Sequence, residues 1–154
     1  MGKQEERKTI AVNRRARHEY AIEETYEAGI ALVGTEVKSV RAGRVNLQDS
    51  FVRIEGGQAW VYNMNISPYE QGGRFNVEPK RTRKLLLHKQ EINRLMGKYQ
   101  ERGLAIIPLA VYIDHGYVKV EIGVGRGRKL YDRRQAITER EVERDRQRQL
   151  GDRG

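Results

Sequence analysis

The sequence predicts a mainly β fold, a small barrel with flanking helices, followed by a basic C-terminal tail. Two pairs of strand-like segments, each joined by a tight glycine-containing turn, indicate β-hairpins. A chain of 154 residues has room for one domain with one core and an extension. The formal charge of +9, from 30 Lys and Arg against 21 Asp and Glu, favours a polyanionic partner such as nucleic acid. The alternative is a highly charged surface of the thermophilic kind.

The first third of the chain is expected to hold a basic arm, a strand and a short helix. Residues 1–17 are polar and basic, so they are interpreted as an N-terminal arm. Strand-like alternation begins near Glu19 and leads into the apolar run 27–34. Thr35 is expected to cap a helix over residues 36–42, which Gly43 would end.

Two hairpins and a longer helix complete the predicted domain, residues 18–124. Gly56-Gly57 suits the left-handed turns that hairpins favour, and His115 lies in the second turn as a surface residue. Between the hairpins, apolar side chains from Leu85 onwards recur at helical spacing, which predicts a helix that starts between residues 84 and 89. Five or six short strands with these turns favour a small OB-like barrel. The paired segments are residues 51–55 with 58–66 and residues 104–113 with 117–124.

Residues 125–154 are predicted to form a basic tail. They contain ten basic and six acidic residues and no apolar stripe that could pack on the domain. The glycine run at residues 123–127 is interpreted as a flexible joint. Thr138 and Glu141 fit a capping box, so we expect the tail to be disordered when free and helical when bound. Arg140 and Arg144 would then lie on one cationic stripe.

The sequence favours neither an enzyme nor a metal site. The chain has no cysteine, which excludes disulfides, thiolate zinc sites and cysteine nucleophiles. His18, His88 and His115 lie far apart, and none has a partner at metal-ligand spacing. We therefore expect no catalytic residue, cofactor or metal. The sequence contains no apolar run that could span a bilayer, and its first residues do not resemble a leader segment. We therefore expect a cytoplasmic location and no membrane partner.

Three basic clusters in the predicted domain are candidate RNA contacts: residues 13–17, the series Lys38, Arg41 and Arg44, and residues 80–84. On a helix, Lys38 and Arg41 share one face, and Arg44 extends it. Such runs are usually solvated surface, but three in one small domain favour an RNA-binding function.

Two other functions stay open from the residues alone. One is a structural protein that sits on ribosomal RNA. The other is an OB module for single strands, which requires aromatic side chains along one sheet face. Trp60, Tyr62 and Tyr69 do not indicate such a regular row.

Six segments resemble the SmpB family in order and spacing, over roughly residues 9–140. They are NRRARHEY, IEETYEAGIALVGTEVKSVRAGRVNLQDSF, ISPYE, NVEP, RTRKLLLHKQEI and IGVGRGRKLYDRR. The resemblance implies an OB-like barrel that binds the tRNA-like domain of tmRNA and delivers it to stalled ribosomes in trans-translation. It also implies indirect partnership with elongation factor Tu and alanyl-tRNA synthetase through tmRNA. The tail would probe the decoding centre and the empty mRNA channel of the small subunit.

The resemblance also implies roles for individual residues. Glu27, Leu86 and His88 match the tmRNA face, although many members carry Asn at the position of His88. If Leu86 lies on the helix, it falls about 100° from the apolar stripe, as expected of a contact residue, and the alternative is core packing. For His88 the alternative is a helix-start or packing role. With the basic clusters, the further tmRNA-binding candidates are Asn13, Arg14, Arg15, Lys38, Arg41, Arg44, Arg83 and Lys84. The ribosome-binding candidates in the tail are Gly127, Arg128, Lys129, Tyr131, Asp132, Arg133, Arg134, Arg140 and Arg144.

Overall fold

The computed structural model describes residues 7–101 and 103–128 and confirms a mainly β protein with few helices. Nine strands are present in this part of the chain, more than the five or six expected, because β3 and β6 are only two residues long and β1 lies in the segment interpreted as an arm. The elements are β1 Arg7–Val12, α1 Ala16–Glu19, β2 Tyr20–Ile30, α2 Gly34–Arg41, β3 Val45–Asn46, β4 Phe51–Glu55, β5 Gln58–Tyr62, β6 Asn65–Ile66, a 3₁₀ turn Gly73–Phe75, β7 Arg83–Leu86, α3 Lys89–Gln100, β8 Leu104–Asp114 and β9 Tyr117–Gly127.

Six of the strands close into a barrel. Their order is β8-β4-β5-β7-β2-β9, and β9 pairs again with β8 along the whole C-terminal hairpin. The strand β1 joins the other edge of β8, beyond the point where β4 pairs with it. Closure leaves few backbone groups unpaired at sheet edges. The predicted barrel is therefore confirmed, and part of the segment interpreted as an arm is a strand of the sheet.

The core lies inside this barrel and is filled by alternate residues of its strands. Two helices close it, since α3 contributes Leu95 and α2 contributes Val40, both almost fully buried. The strand residues of the core include Ala28, Ile30, Val52, Ala59, Val61, Leu85, Ile106, Val111, Val120, Ile122 and Val124.

Both predicted hairpins and the longer helix are confirmed. Gly56 and Gly57 have φ of 59° and 73°, while His115 and Gly116 have φ of 51° and 83°. Positive φ at both central positions is the two-residue turn that matches the twist of antiparallel strands. The longer helix starts at Lys89, within the predicted window.

The interpretation of the segment before that helix was wrong in one respect. Leu85 and Leu86 belong to β7, which pairs with β2 and β5, and not to the helix. Leu85 is fully buried and Leu86 is 52% exposed, as the period of two in a strand requires. The helical spacing of the apolar residues within α3 is real, and only the place of Leu85 in that pattern is coincidental.

The predicted cap of α2 was also wrong. The helix begins two residues earlier, at Gly34, and Val33 occupies the N-cap, where its N–H donates to the Glu36 carboxylate at 3.0 Å. The Thr35 hydroxyl instead donates to the carbonyl of Phe75 at 3.2 Å and ties the helix to the loop opposite.

The glycine run at residues 123–127 is not a joint but the end of β9, paired with β2 and β8. A Cβ at Gly125 would lie 2.5 Å from the Ala21 carbonyl oxygen, and one at Gly123 would lie 2.7 Å from Leu109 Cδ1. These glycines permit close approach of neighbouring strands rather than flexibility.

Candidate nucleic-acid interface

Four of the residues predicted from the sequence line one groove on the barrel surface. Glu27 comes from β2, Lys84 and Leu86 from β7, and His88 from the start of α3, around a volume of 410 Å³. Lys119 of β9 completes the rim. The pairing of β7, β2 and β9 brings these residues together, because Gly29 lies opposite both Leu86 and Lys119.

Leu86 owes its exposure to its neighbour on β2. A Cβ at Gly29 would lie 3.2 Å from the Cβ of Leu86, so the glycine leaves room for the leucine on the surface. Core packing, the alternative for Leu86, is excluded by its 52% exposure. An exposed leucine beside charged groups gives the groove an apolar contact that a base or ribose can cover.

Glu27 is exposed, and the buried Tyr112 lies beneath it. Burial and the nearby Glu27 carboxylate raise the pKa of the Tyr112 hydroxyl. The Arg7 guanidinium lies 3.8 Å from the centre of the Tyr112 ring on the same side of the barrel. The Glu27 carboxylate is therefore an exposed acceptor in a groove that both lysines and glutamates line, Glu91 being the second carboxylate.

His88 occupies the N-cap of α3. Its backbone N–H donates to Glu91 at 3.1 Å, and its exposed imidazole makes no capping hydrogen bond. The backbone thus serves the helix start, while the ring borders the groove.

Arg83 does not belong to the RNA-facing set. Its side chain is fully buried, with Nε at 2.6 Å from Glu36 and the two terminal nitrogens at 2.6 Å from the Met64 carbonyl and 2.9 Å from the Pro79 carbonyl. All parts of the guanidinium have partners inside the protein, so the prediction that it binds tmRNA is wrong. Charge runs on strands alternate between faces, and Arg83 faces inward.

The prediction that Asn13 is a surface contact is also wrong. Asn13 is buried, and its amide nitrogen donates to the carbonyls of Pro108 at 3.0 Å and Leu47 at 3.4 Å. Its side-chain oxygen accepts from the Ala16 N–H at 3.2 Å. The residue fixes the turn between β1 and α1, and the neighbouring Arg14 and Arg15 remain exposed beside it.

The α2 series is exposed but separate from the groove. Lys38 lies 5.5 Å from the ring centre of Tyr69, and Arg44 pairs with Glu70 at 3.2 Å. Arg41 donates to the Gly116 carbonyl at 3.4 Å, which places the end of α2 beside the tip of the C-terminal hairpin. The sequence therefore predicted correctly that these cations lie on the surface, but it did not predict the groups that they contact.

Sequence reasoning missed a stacked aromatic pair on the outer face of β4 and β5. Phe51 and Tyr62 pair across the strands, with ring centres 5.3 Å apart and an interplanar angle of 2°. The Arg53 guanidinium lies 5.2 and 5.3 Å from these rings and opposite Trp60, which is itself opposite Lys84. The expectation that Trp60, Tyr62 and Tyr69 form no regular row is not contradicted, since Tyr69 lies in the loop after β6. The turn at residues 56–57 fixes this register, so the signal was in the sequence.

Two predicted tail contacts fall within the described residues. Gly127 ends β9, and Arg128 donates from Nε to the Arg17 carbonyl at 3.0 Å. The others, Lys129, Tyr131, Asp132, Arg133, Arg134, Arg140 and Arg144, lie outside the described residues.

Residues 7–101 and 103–128 hold no group of three or more His, Asp or Glu side chains that could bind a metal ion. In the same part of the chain, no helix is long and apolar enough to cross a membrane.

The family model described as SmpB protein matches residues 10–152. The chain belongs to the SmpB family. This SmpB-family chain is 62% identical to the SsrA-binding protein of Desulforudis audaxviator over 141 residues. The matched region covers 92% of each chain. The chain is 59% identical over 138 residues to the SsrA-binding protein of Listeria monocytogenes, covering 90% of both chains.

Among solved structures, the barrel is similar to a chain from work described as "tmRNA-SmpB: a journey to the center of the bacterial ribosome". The TM-score is 0.65 and the sequence identity 56%, over 76% of this chain and 82% of the other. The resemblance of the six segments to SmpB is thus confirmed, as is the fold it implied.

Proposed function

We propose that this protein binds the tRNA-like domain of tmRNA and delivers it to stalled ribosomes in trans-translation. The observation that carries the proposal is the groove, where Glu27, Leu86 and His88, matched to the family's tmRNA face, meet on three different elements. Membership of the SmpB family and similarity to SsrA-binding proteins support it. The protein acts as an RNA-binding factor, and we assign it no catalytic step.

The chemistry of the groove suits structured RNA. Lys84 and Lys119 supply positive charge for phosphates, and the exposed Glu27 carboxylate accepts from base amino groups or ribose hydroxyls. Leu86 offers apolar surface for a base or sugar. A neutral His88 imidazole can donate one hydrogen bond and accept another.

The tail is proposed to act on the ribosome rather than on tmRNA. With ten basic residues in 125–154, it carries the charge that a channel lined by RNA would attract. We propose that Lys129, Tyr131 and Arg134 take part in this contact. Elongation factor Tu and alanyl-tRNA synthetase are proposed as indirect partners through tmRNA, and the cytoplasm as the location.

A second candidate function is binding of single-stranded RNA across β4 and β5. The stacked Phe51–Tyr62 pair with Arg53 beside it favours this function, since aromatic and guanidinium planes stack on bases of any sequence. Comparable affinity for unstructured homopolymers and for tmRNA would support it over the first.

The test is peptidyl transfer to alanyl-tmRNA on ribosomes that lack a codon in the A site. The full chain should enable transfer, and Leu86→Ala should require a higher protein concentration for the same rate because it weakens tmRNA binding. Tyr99→Ala, an exposed side chain on α3 outside the groove, is the control. Absence of transfer with the full chain would contradict the proposed function.

A further inference from the structure

A second concave site lies at the start of α2, whereas Arg41 at the end of the helix contacts the hairpin tip. This site is a cleft of 620 Å³ between the start of α2 and the loop at residues 67–79. Val33 and Lys38 line it from the helix side, and Tyr69 and Phe75 from the loop. Phe75 is 67% exposed, although it is one of only two phenylalanines in the chain. Large exposed aromatic side chains in a concavity mark a binding surface.

The loop that forms the cleft is held rigidly. The Asn76 amide bonds to both the N–H and the carbonyl of Tyr69, at 2.9 Å each, as a neighbouring strand would. The Thr35 hydroxyl donates to the Phe75 carbonyl. A Cβ at Gly72 would lie 2.9 Å from Thr35 Cγ2, so only glycine lets the loop pack this closely on α2. The cleft is thus preformed, which reduces the entropy lost when a ligand binds.

The side chains around the cleft combine aromatic rings with cations. The Arg74 guanidinium lies 5.1 Å from the Phe75 ring centre, and the Lys38 ammonium lies 5.5 Å from that of Tyr69. No acidic side chain is among the described residues that line the cleft. Rings that stack on a base, beside cations that neutralise its phosphate, are the features of a site for an unpaired nucleotide. The protein's own basic tail is a poor occupant, because Lys38 and Arg74 would repel it.

The cleft is close enough to the groove for one RNA to occupy both. Gly29 lines the groove and Val33 lines the cleft, so only four residues of backbone separate them, at most about 13 Å. The Ala31 N–H donates to the Lys84 carbonyl at 3.0 Å, which anchors this connecting segment to the groove strand β7.

We propose that the cleft between α2 and the loop at residues 67–79 binds one unpaired nucleotide of the tmRNA that occupies the groove. The base stacks on Phe75, and Lys38 contacts its phosphate. This inference rests on the proposed function, because it takes the groove as the tmRNA-binding site.

The test compares Phe75→Ala with the wild-type chain for affinity to the tRNA-like domain of tmRNA and for chemical protection of its unpaired bases. Loss of one base stack should weaken binding by about 5- to 150-fold. It should also expose one base to modification while the rest of the footprint persists. Phe75→Tyr keeps the ring and should bind normally, and Lys38→Gln should weaken binding without exposing the base fully. Tyr99→Ala is the control, being an exposed aromatic residue outside the cleft.

The failure of this inference can be separated from failure of the proposed function. Absence of specific tmRNA binding by the wild-type protein would overturn both the proposed function and the inference about the cleft. If the wild-type protein binds tmRNA specifically, and Phe75→Ala binds it within twofold of the wild-type affinity with the same footprint, the proposal for the cleft alone is overturned. Normal tmRNA binding by Phe75→Ala with loss of protection on ribosomal RNA, or with loss of ribosome binding only, would assign the cleft to another partner and also overturn it.

Discussion

Replacing Glu36 with glutamine removes the charge of a buried ion pair while keeping the size of the side chain. Glu36 is 3% exposed and accepts hydrogen bonds from Arg83 at 2.6 Å, from Arg81 and from the Val33 N–H. The substitution leaves the fully buried Arg83 guanidinium charged, with only neutral acceptors around it: the carbonyls of Met64 and Pro79 and the glutamine amide oxygen. An uncompensated buried charge is the consequence.

Breaking a buried ion pair by removing one partner costs about 3–5 kcal/mol. At about 4 °C per kcal/mol for a domain of this size, the midpoint of thermal unfolding should fall by about 12–20 °C. Glu70→Gln is the matched control, because the Arg44–Glu70 pair has the same chemistry but is exposed. Its removal should change stability by at most about 1 kcal/mol.

The measurement is thermal and urea unfolding of wild type, Glu36→Gln and Glu70→Gln, followed by circular dichroism. Equal midpoints for the two variants would refute the claim that the buried Glu36–Arg83 pair holds α2 and β7 together. A Glu36→Leu/Arg83→Met double variant that recovers stability would show that the unpaired charge, and not lost volume, causes the defect.

The same pair predicts a pH dependence. Burial by itself raises the pKa of Glu36, but the hydrogen bonds from Arg81, Val33 and Arg83 together lower it below its ordinary 4.5. A depressed folded-state pKa gives stability that is fully present above the unfolded value and is lost as pH falls through the folded value. Wild type should therefore lose stability below about pH 4.5 more steeply than Glu36→Gln. Parallel curves for the two proteins would contradict this sign.

Three further outcomes follow from the barrel and its surface. Gly125→Ala should lower the free energy of unfolding by about 1–3 kcal/mol, because the new Cβ meets the Ala21 carbonyl. Gly127→Ala, where the Cβ would enter open space, should leave it unchanged. Denaturant titration compares the two variants. Leu86→Ala should leave the unfolding midpoint nearly unchanged, since the side chain is half exposed. A loss of about 2–5 kcal/mol in the free energy of unfolding, typical of core truncation, would show that Leu86 is a core residue and not part of the groove surface. A chain ended after Arg128 should bind tmRNA within a few-fold of wild type but fail to support alanine transfer, and normal transfer would make the tail dispensable.

The barrel could be predicted because its strongest signals are local. The turn residues Gly56-Gly57 and His115-Gly116, and the strand-like runs on either side of them, depend on residues a few positions apart. The closing of β9 on both β2 and β8 depends on Gly125, which admits the backbone of Ala21, and on Gly123, which admits the side chains of Leu109 and Ile22. Their sequence pattern indicates a flexible joint equally well, which is why that interpretation was wrong.

The candidate site could be predicted in part for the same reason. Glu27, Leu86 and His88 were identified through resemblance, and the sheet register then places them together. Arg83 was wrong because its buried partner, Glu36, lies 47 residues away, and no local pattern reveals that pairing. The cleft at Phe75 depends likewise on a loop that packs on α2 through Asn76 and Gly72.

Competition for the labelled tRNA-like domain of tmRNA tests the central claim most directly. The full chain is titrated in a band-shift at several salt concentrations, against unlabelled tmRNA domain and against an equal-length structured RNA. We expect only the tmRNA domain to compete, with a slope of log affinity against log salt of roughly −4 to −5 if about five phosphates are neutralised. Equal competition by the unrelated RNA, or a slope near zero, would contradict the account.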